Sequence, residues 1–151
     1  MLLVLDVGNT HTVVGFYDDG RWIQDWRIHT ETRLTDDELN LMISRFFRQA
    51  GIGPDQVRQT VVSCVVPPLS GAIESYCVKY LGHRPDWVNH KTVDMPVLLD
   101  NPAEVGADRL VNAVAAVCAS ILSGAHIVRV HDVARARAAA TIADAVKNAQ
   151  Q

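Results

Sequence analysis

The feature that most constrains this chain is the order in which its apolar periodicity changes. It opens with LLVLDV at residues 2–7. That run is too short for a core helix, is bounded by Gly8-Asn9-Thr10, and reads as a buried strand. Residues 12–17 (TVVGFY) and 22–28 (WIQDWRI) read as two more strands. Asp18-Asp19-Gly20 supplies the hairpin turn between them. The period then becomes helical. Thr35 with Glu38 forms a capping box, backed by Asp36 and Asp37. Leu39, Met42, Ile43, Phe46, Phe47 and Ala50 make a core-facing stripe, and Gly51 ends it.

The alternation continues with TVVSCVV at 60–66 as a strand that meets Pro67-Pro68. A helix follows, with Leu69, Ile73, Tyr76, Cys77, Tyr80 and Leu81 on one side and Gly82 at its end. Residues 86–88 form a short strand and 89–101 a loop. A long helix runs from about Pro102 to Ser123. Residues 126–131 (HIVRVH) read as a strand and 134–148 as an Ala-rich helix. Three antiparallel strands followed by alternating helix and strand predict an α/β fold with a mixed sheet covered by helices on both faces. The ribonuclease H-like fold, which actin and sugar kinases use in duplicate, has this order. At 151 residues the chain has room for about one such lobe, expected as a single domain over 1–151.

Composition removes several function classes. An apolar content of 48% with 21% charged residues is that of a globular domain, and a formal net charge of -3 gives no basic surplus for nucleic acid. The N-terminus lacks a basic region before its apolar run, and no run approaches a membrane span, so a cytoplasmic protein without leader or anchor is expected. Cys64, Cys77 and Cys118 sit in apolar surroundings with no C-x-x-C pair, which reads as reduced core thiols. His29, His83 and His90 lack metal-ligand spacing and read as surface or loop residues. Trp22 and Trp26 share parity on one strand and are expected on one face.

Two segments carry chemistry. In LDVGNTHTV, Asp6 ends an apolar strand, Gly8 removes a side chain where a ligand could approach, Asn9 tolerates left-handed dihedrals, and Thr10 adds a hydroxyl. Such a turn can form a nest of N–H groups for anionic oxygens, with the carboxylate beside it holding Mg²⁺. An ordinary hairpin tipped by Asn9-Thr10 explains the same residues, and the short motif leaves both readings open. In DNPAEVGADRLVNAVAA, residues 100–116, Pro102 and Glu104 suit a helix start. Gly106 is expected to kink that helix or admit a ligand, at a cost of about 1 kcal/mol. Asp108 and Arg109 read either as a surface ion pair or as a base beside an anion-holding cation.

Together, DVGNT, WRIHT at 26–30, SCVVPPL at 63–69 and DNPAEVGADRLVNAVAA resemble the type III pantothenate kinases over about residues 1–118. The resemblance implies ATP-dependent phosphorylation of pantothenate, the first step of coenzyme A biosynthesis. It places the ATP phosphates on Asp6, Val7, Gly8, Asn9, Thr10, His11, Thr12 and Val13, with Mg²⁺ at Asp6. Pantothenate falls on Leu99, Gly106, Ala107, Asp108 and Arg109, and Asp108 is the base that activates its hydroxyl. The resemblance also implies a homodimer and a monovalent cation, potassium, for which no site is evident. His11 stands where the family often has Asn, and Leu99 where it often has a substrate-contacting Tyr.

The family continues into a second phosphate motif resembling V-D-F-G-T-A-T-T and a second lobe, and the strand expected to carry that motif is absent. Instead, GAHIVRVHDV and the Ala-rich helix after it resemble the last strand and helix of dihydropteroate synthase over about residues 121–151. There, Arg129 and His131 would match an R-x-H that binds the pterin diphosphate. The expectation is a kinase-like lobe over 1–118 completed by a grafted βα unit over 119–151. Activity is then impaired or absent, and the alternative is a catalytically silent folded chimera. A ribonuclease H-like nuclease is a weaker reading, because Ser63 and Cys64 stand where a second acid is needed beside Asp6.

Overall fold

The computed structural model describes residues 1–93 and 104–122, with side chains described as far as residue 115. The chain divides into two compact units, Met1–Trp87 and Val88–Gln151, and each is described by itself. In the first, β1 (Leu2–Val7), β2 (His11–Asp18), β3 (Arg21–His29), β4 (Gln59–Cys64) and β5 (Asp86–Trp87) form one sheet in the order β3-β2-β1-β4-β5. β1, β2 and β3 pair antiparallel, whereas β4 runs parallel to both β1 and β5. This is the mixed sheet expected of a single actin- and sugar-kinase-like lobe, with β1 at its centre.

Side-chain alternation builds the core. Leu3, Leu5 and Val7 of β1 point to one face with Val14 and Phe16 of β2 and Val62 of β4, all at most 3% exposed. Two helices, α1 (Asp36–Ala50) and α2 (Pro67–Tyr76), close that face with Leu39, Ile43, Phe46, Phe47, Leu69, Ile73 and Tyr76. The apolar β1 run is therefore fully enclosed on this side only, while Leu2 and Val4 are half-buried and Asp6 is exposed. Within this unit both helices cover one face. The opposite face carries a shallow hollow of about 290 Å³ lined by Val4, Asp6, Val13, Gly15, Trp22 and Asp25.

Several local expectations hold. The Thr35–Glu38 capping box forms reciprocally, and Gly51 ends α1 with a positive φ of 68°. At the β2–β3 hairpin Asp19 and Gly20 both take positive φ, 45° and 77°. That pair of left-handed residues matches the twist a tight hairpin needs. After α2 the backbone widens into a π-type turn, Cys77–Leu81, stopped by Gly82 at φ 75°. The turn carries Lys79 and Tyr80 to the start of α1. Lys79 Nζ lies 3.0 Å from Asp36 and 2.5 Å from Asp37, and the Tyr80 hydroxyl donates to Asp37.

One expectation needs correction. Trp22 and Trp26 do not share a face. A β-bulge between the Phe16–Gln24 and Tyr17–Trp22 pairs inserts Ile23 as an extra residue and reverses parity. Trp26 packs on Phe16 and Phe46 in the core, whereas Trp22 is 59% exposed and lies over Gly15 on the opposite face. His83 takes the loop position expected of it, in the bend between the π-type turn and β5, and is anchored there. Its Nε2 is 2.9 Å from the fully buried Thr60 hydroxyl and its Nδ1 3.1 Å from the Leu81 carbonyl, so it ties β4 to the end of the π-type turn.

In the second unit α3 spans Ala107–Leu122. The expected start at Pro102 and the strand and helix expected over 126–148 lie outside the described residues. Gly106 is not inside the helix. It immediately precedes it, and its carbonyl accepts from the amides of Arg109 and Leu110 at 3.1 and 3.3 Å. The expected interior-glycine cost therefore does not arise, because the missing side chain sits at a cap, where glycine is tolerated.

Candidate functional site: the turn after the first strand

The turn between β1 and β2 is short and tightly closed. The Gly8 amide donates to the His11 carbonyl at 3.0 Å. A Cβ on Gly8 would lie 3.0 Å from that same oxygen, closer than a side chain normally sits, which is why glycine stands there. Asn9 is not left-handed: among the described residues the only non-glycine with positive φ is Asp19. The tightness thus comes from the Gly8–His11 approach rather than from Asn9. Asn9 and Thr10 are exposed, and among the described residues their amides have no protein acceptor. Two adjacent exposed N–H donors at a strand end are what an anionic oxygen needs.

A residue missed at the sequence level fixes the turn from behind. Thr30, just past β3, donates from Oγ1 to the Gly8 carbonyl at 2.6 Å. Its amide donates to the Thr10 carbonyl at 2.9 Å. Its hydroxyl is also 2.9 Å from that of Thr12. Thr30 Oγ1 spends its single proton on Gly8, so Thr12 must be the donor in that pair. Only the WRIHT string hinted at Thr30. Local periodicity could not, because the contacts span 18 to 22 residues.

Asp6 is exposed, pairs in register with Val13 on β2 and Ser63 on β4, and sits one residue from the buried Val7. Ser63 is 6% exposed, and its hydroxyl has no hydrogen-bond partner among the described residues. A free carboxylate with an unsatisfied hydroxyl in the adjoining register position and open amides at the turn suits a cation that keeps several waters and bridges to phosphate oxygens, as Mg²⁺ does. Among the described residues no three His, Cys, Asp or Glu side chains cluster as an all-protein metal cage.

The flank of the turn is basic. His11 stacks on His29 with ring centroids 5.1 Å apart, and Arg27 Nη2 lies 3.3 Å from His11 Nδ1. Partial burial, then the Arg27 guanidinium and the His29 ring, hold the His11 imidazole below its ordinary value. Thr12 is nearly buried, whereas Val13 is half-buried and lines the open hollow beside Asp6.

In the other unit, Asp108 and Arg109 are exposed in the first turn of α3, and Ala107 is 6% exposed. A carboxylate there complements the positive end of the helix. The sequence-level sites thus fall into two groups, Asp6 to Val13 in one unit and Gly106 to Arg109 in the other. Leu99, Arg129 and His131 lie outside the described residues.

Comparison with known proteins gives the family. The sequence model of the family described as type III pantothenate kinase matches residues 2–148. The type III pantothenate kinase of Desulfatibacillum aliphaticivorans is 55% identical over 117 residues, covering 77% of this chain and 46% of that protein. That of Geobacter sulfurreducens is 52% identical over 117 residues, with 76% and 46% covered. That of Myxococcus xanthus is 46% identical over 117 residues, with 77% and 46% covered. The chain spans about half the length of the curated relatives it matches. With a family match running through nearly its whole length, this chain belongs to the type III pantothenate kinase family.

Proposed function

We propose that this chain is the phosphate-binding lobe of a kinase that transfers the γ-phosphoryl group of ATP to pantothenate in the cytoplasm, working as a homodimer. The observation that carries the reading is the turn at Gly8–His11, which presents the unpaired Asn9 and Thr10 amides beside the Asp6 carboxylate. The amides bind phosphate oxygens, and Asp6 would hold Mg²⁺. Bound Mg²⁺ would neutralise charge on the phosphate chain. Asp108 accepts the proton of the pantothenate hydroxyl while Arg109 holds the pantothenate carboxylate. The hydroxyl oxygen then bonds to the γ-phosphorus as the bond to ADP breaks. Because the transfer needs little covalent help, positioning carries most of it.

A coupled assay of ADP release with ATP, Mg²⁺ and pantothenate tests this. Asp108→Asn should lower kcat at least about 100-fold with the circular-dichroism spectrum unchanged. Full activity in that variant would remove Asp108 as the base. A second reading is a folded but catalytically silent protein whose tail derives from a dihydropteroate synthase-like strand and helix; the family match, which runs on through residue 148, weighs against it. That reading requires no ADP release from the wild type at any protein concentration.

A further inference from the structure

A groove of about 410 Å³ lies between α1 and the segment formed by the end of α2 and the π-type turn. It shares no residue with the Gly8–His11 turn or with α3, and its volume is that of a small-ligand site. One wall is a stripe of α1. Asn40, Ser44 and Arg48 stand four residues apart and so lie one above another. The Ser44 hydroxyl donates to Asn40 Oδ1 at 3.3 Å, which leaves the Asn40 Nδ2 protons to donate elsewhere. The Arg48 guanidinium is exposed and has no carboxylate partner among the described residues. The facing wall is aromatic. Tyr76, the last residue of α2, and Tyr80 of the π-type turn have ring centroids 5.8 Å apart. The Tyr80 hydroxyl is taken by Asp37, so Tyr80 offers the groove its ring. Tyr76 differs. It is 1% exposed, yet its hydroxyl has no hydrogen-bond partner among the described residues. Buried phenols normally have one. Burial pushes its ionisation up, so it stands as a neutral donor. Packing alone would be served by phenylalanine. An enclosed, unused donor in a groove that carries two further unused donors calls for an acceptor that arrives from outside.

We propose that this groove binds a small flat organic acid. The carboxylate of the acid lies on Arg48 and Asn40 Nδ2, its ring packs against the aromatic wall, and an acceptor at its far end receives the Tyr76 hydroxyl hydrogen bond. Each feature excludes a simpler occupant. A neutral ring would leave the Arg48 cation unused. An inorganic anion would make no use of the aromatic wall. An acid without a second acceptor would leave the Tyr76 hydroxyl as it is, buried and unsatisfied. The site stands independently of the phosphate turn, because no residue belongs to both.

The test titrates the whole 151-residue chain with two probes of one shape, 2-naphthoate and quinoline-6-carboxylate. They differ only in the ring nitrogen, which can accept from Tyr76. Amide NMR shifts locate the site and calorimetry reads the affinity. Both acids should shift Asn40, Ser44 and Arg48 and leave Gly8 to His11 unmoved. The quinoline should bind about fivefold more tightly, the effect of one neutral hydrogen bond. Arg48→Gln should weaken both acids about tenfold or more, the effect of losing a charge-assisted contact. Tyr76→Phe should keep the naphthoate affinity and erase the advantage of the quinoline. Because the hydroxyl has no partner to lose, Tyr76→Phe should also be at least as stable as wild type in urea. Equal binding of the two acids by the wild type, an advantage that survives Tyr76→Phe, or shifts at Gly8 to His11 in place of α1 would overturn the proposal. So would the failure of both acids to bind at about 5 mM. A Tyr76→Phe protein less stable than wild type would overturn it too, by showing that the hydroxyl already has a partner.

Discussion

Thr30 offers the most direct measurement of what holds the Gly8–His11 turn in place. Replacing it with valine keeps the shape and removes one hydroxyl. Two bonds go with it: donation to the Gly8 carbonyl at 2.6 Å and acceptance from the Thr12 hydroxyl at 2.9 Å. Each bond is worth about 1 kcal/mol net. Thr12 is 9% exposed, so its hydroxyl is left with little access to water, and stranding a buried donor costs about 1–3 kcal/mol more. Thr30→Val should therefore lose about 3–5 kcal/mol. Thr12→Val, which removes a donor and leaves Thr30 still bonded to Gly8, should lose about 1 kcal/mol. In the double variant no hydroxyl is stranded and the shared bond is lost only once, so its loss should fall short of the sum of the two by about 2–4 kcal/mol. Urea unfolding followed by far-ultraviolet circular dichroism reads all three values, with the slope in denaturant unchanged. If Thr30→Val changes stability by less than about 0.5 kcal/mol, or the two substitutions simply add, the hydroxyl chain does not hold the turn.

Two other predictions concern the first unit. Thr35→Ala removes the side-chain acceptor of the Glu38 amide and should cost about 1 kcal/mol in the same assay. The Thr35 amide and hydroxyl hold the Glu38 carboxyl below its ordinary value. Its contribution is thus present above the unfolded-state value near 4.3 and is lost as pH falls through the lower folded one, a loss that should be smaller in Thr35→Ala. Burial pushes the Cys77 thiol up to about 11. Peptide mapping after iodoacetamide treatment at pH 8 should find Cys77 unlabelled in native protein and labelled in urea, and rapid native labelling would contradict its enclosure.

The elements that sequence reading locates well are those whose causes are local. A capping box needs only Thr35 and Glu38, and the β2–β3 hairpin needs only Asp19 and Gly20 in left-handed conformations. The misreadings share a different origin. Strict alternation put Trp22 with Trp26, but the extra residue at Ile23 is visible only when β3 is laid against β2. Gly106 looked like a helix defect because the start of α3 was placed too early, and its carbonyl bonds to Arg109 and Leu110 show it as the cap. Thr30 and His83 act across 18 to 23 residues, so no window of helical or strand length contains both partners.

The same register that builds the core also aims the candidate site. Val7 pairs with Thr12 and Asp6 with Val13, so the side chains that point away from the helices include the Asp6 carboxylate. Slipping β1 by one residue would exchange the faces of its whole alternating set. Leu3, Leu5 and Val7, at most 3% exposed, would turn outward, and Asp6 would enter an apolar core with no partner for its charge. The first change forfeits about 1.5–3 kcal/mol for each large side chain, and the second adds the cost of an unpaired buried carboxylate. The position of Asp6 beside the Asn9 and Thr10 amides is therefore enforced by packing several residues away. The core packing fixes the face that Asp6 takes, and the Thr30 and Thr12 hydroxyls fix the turn that follows it.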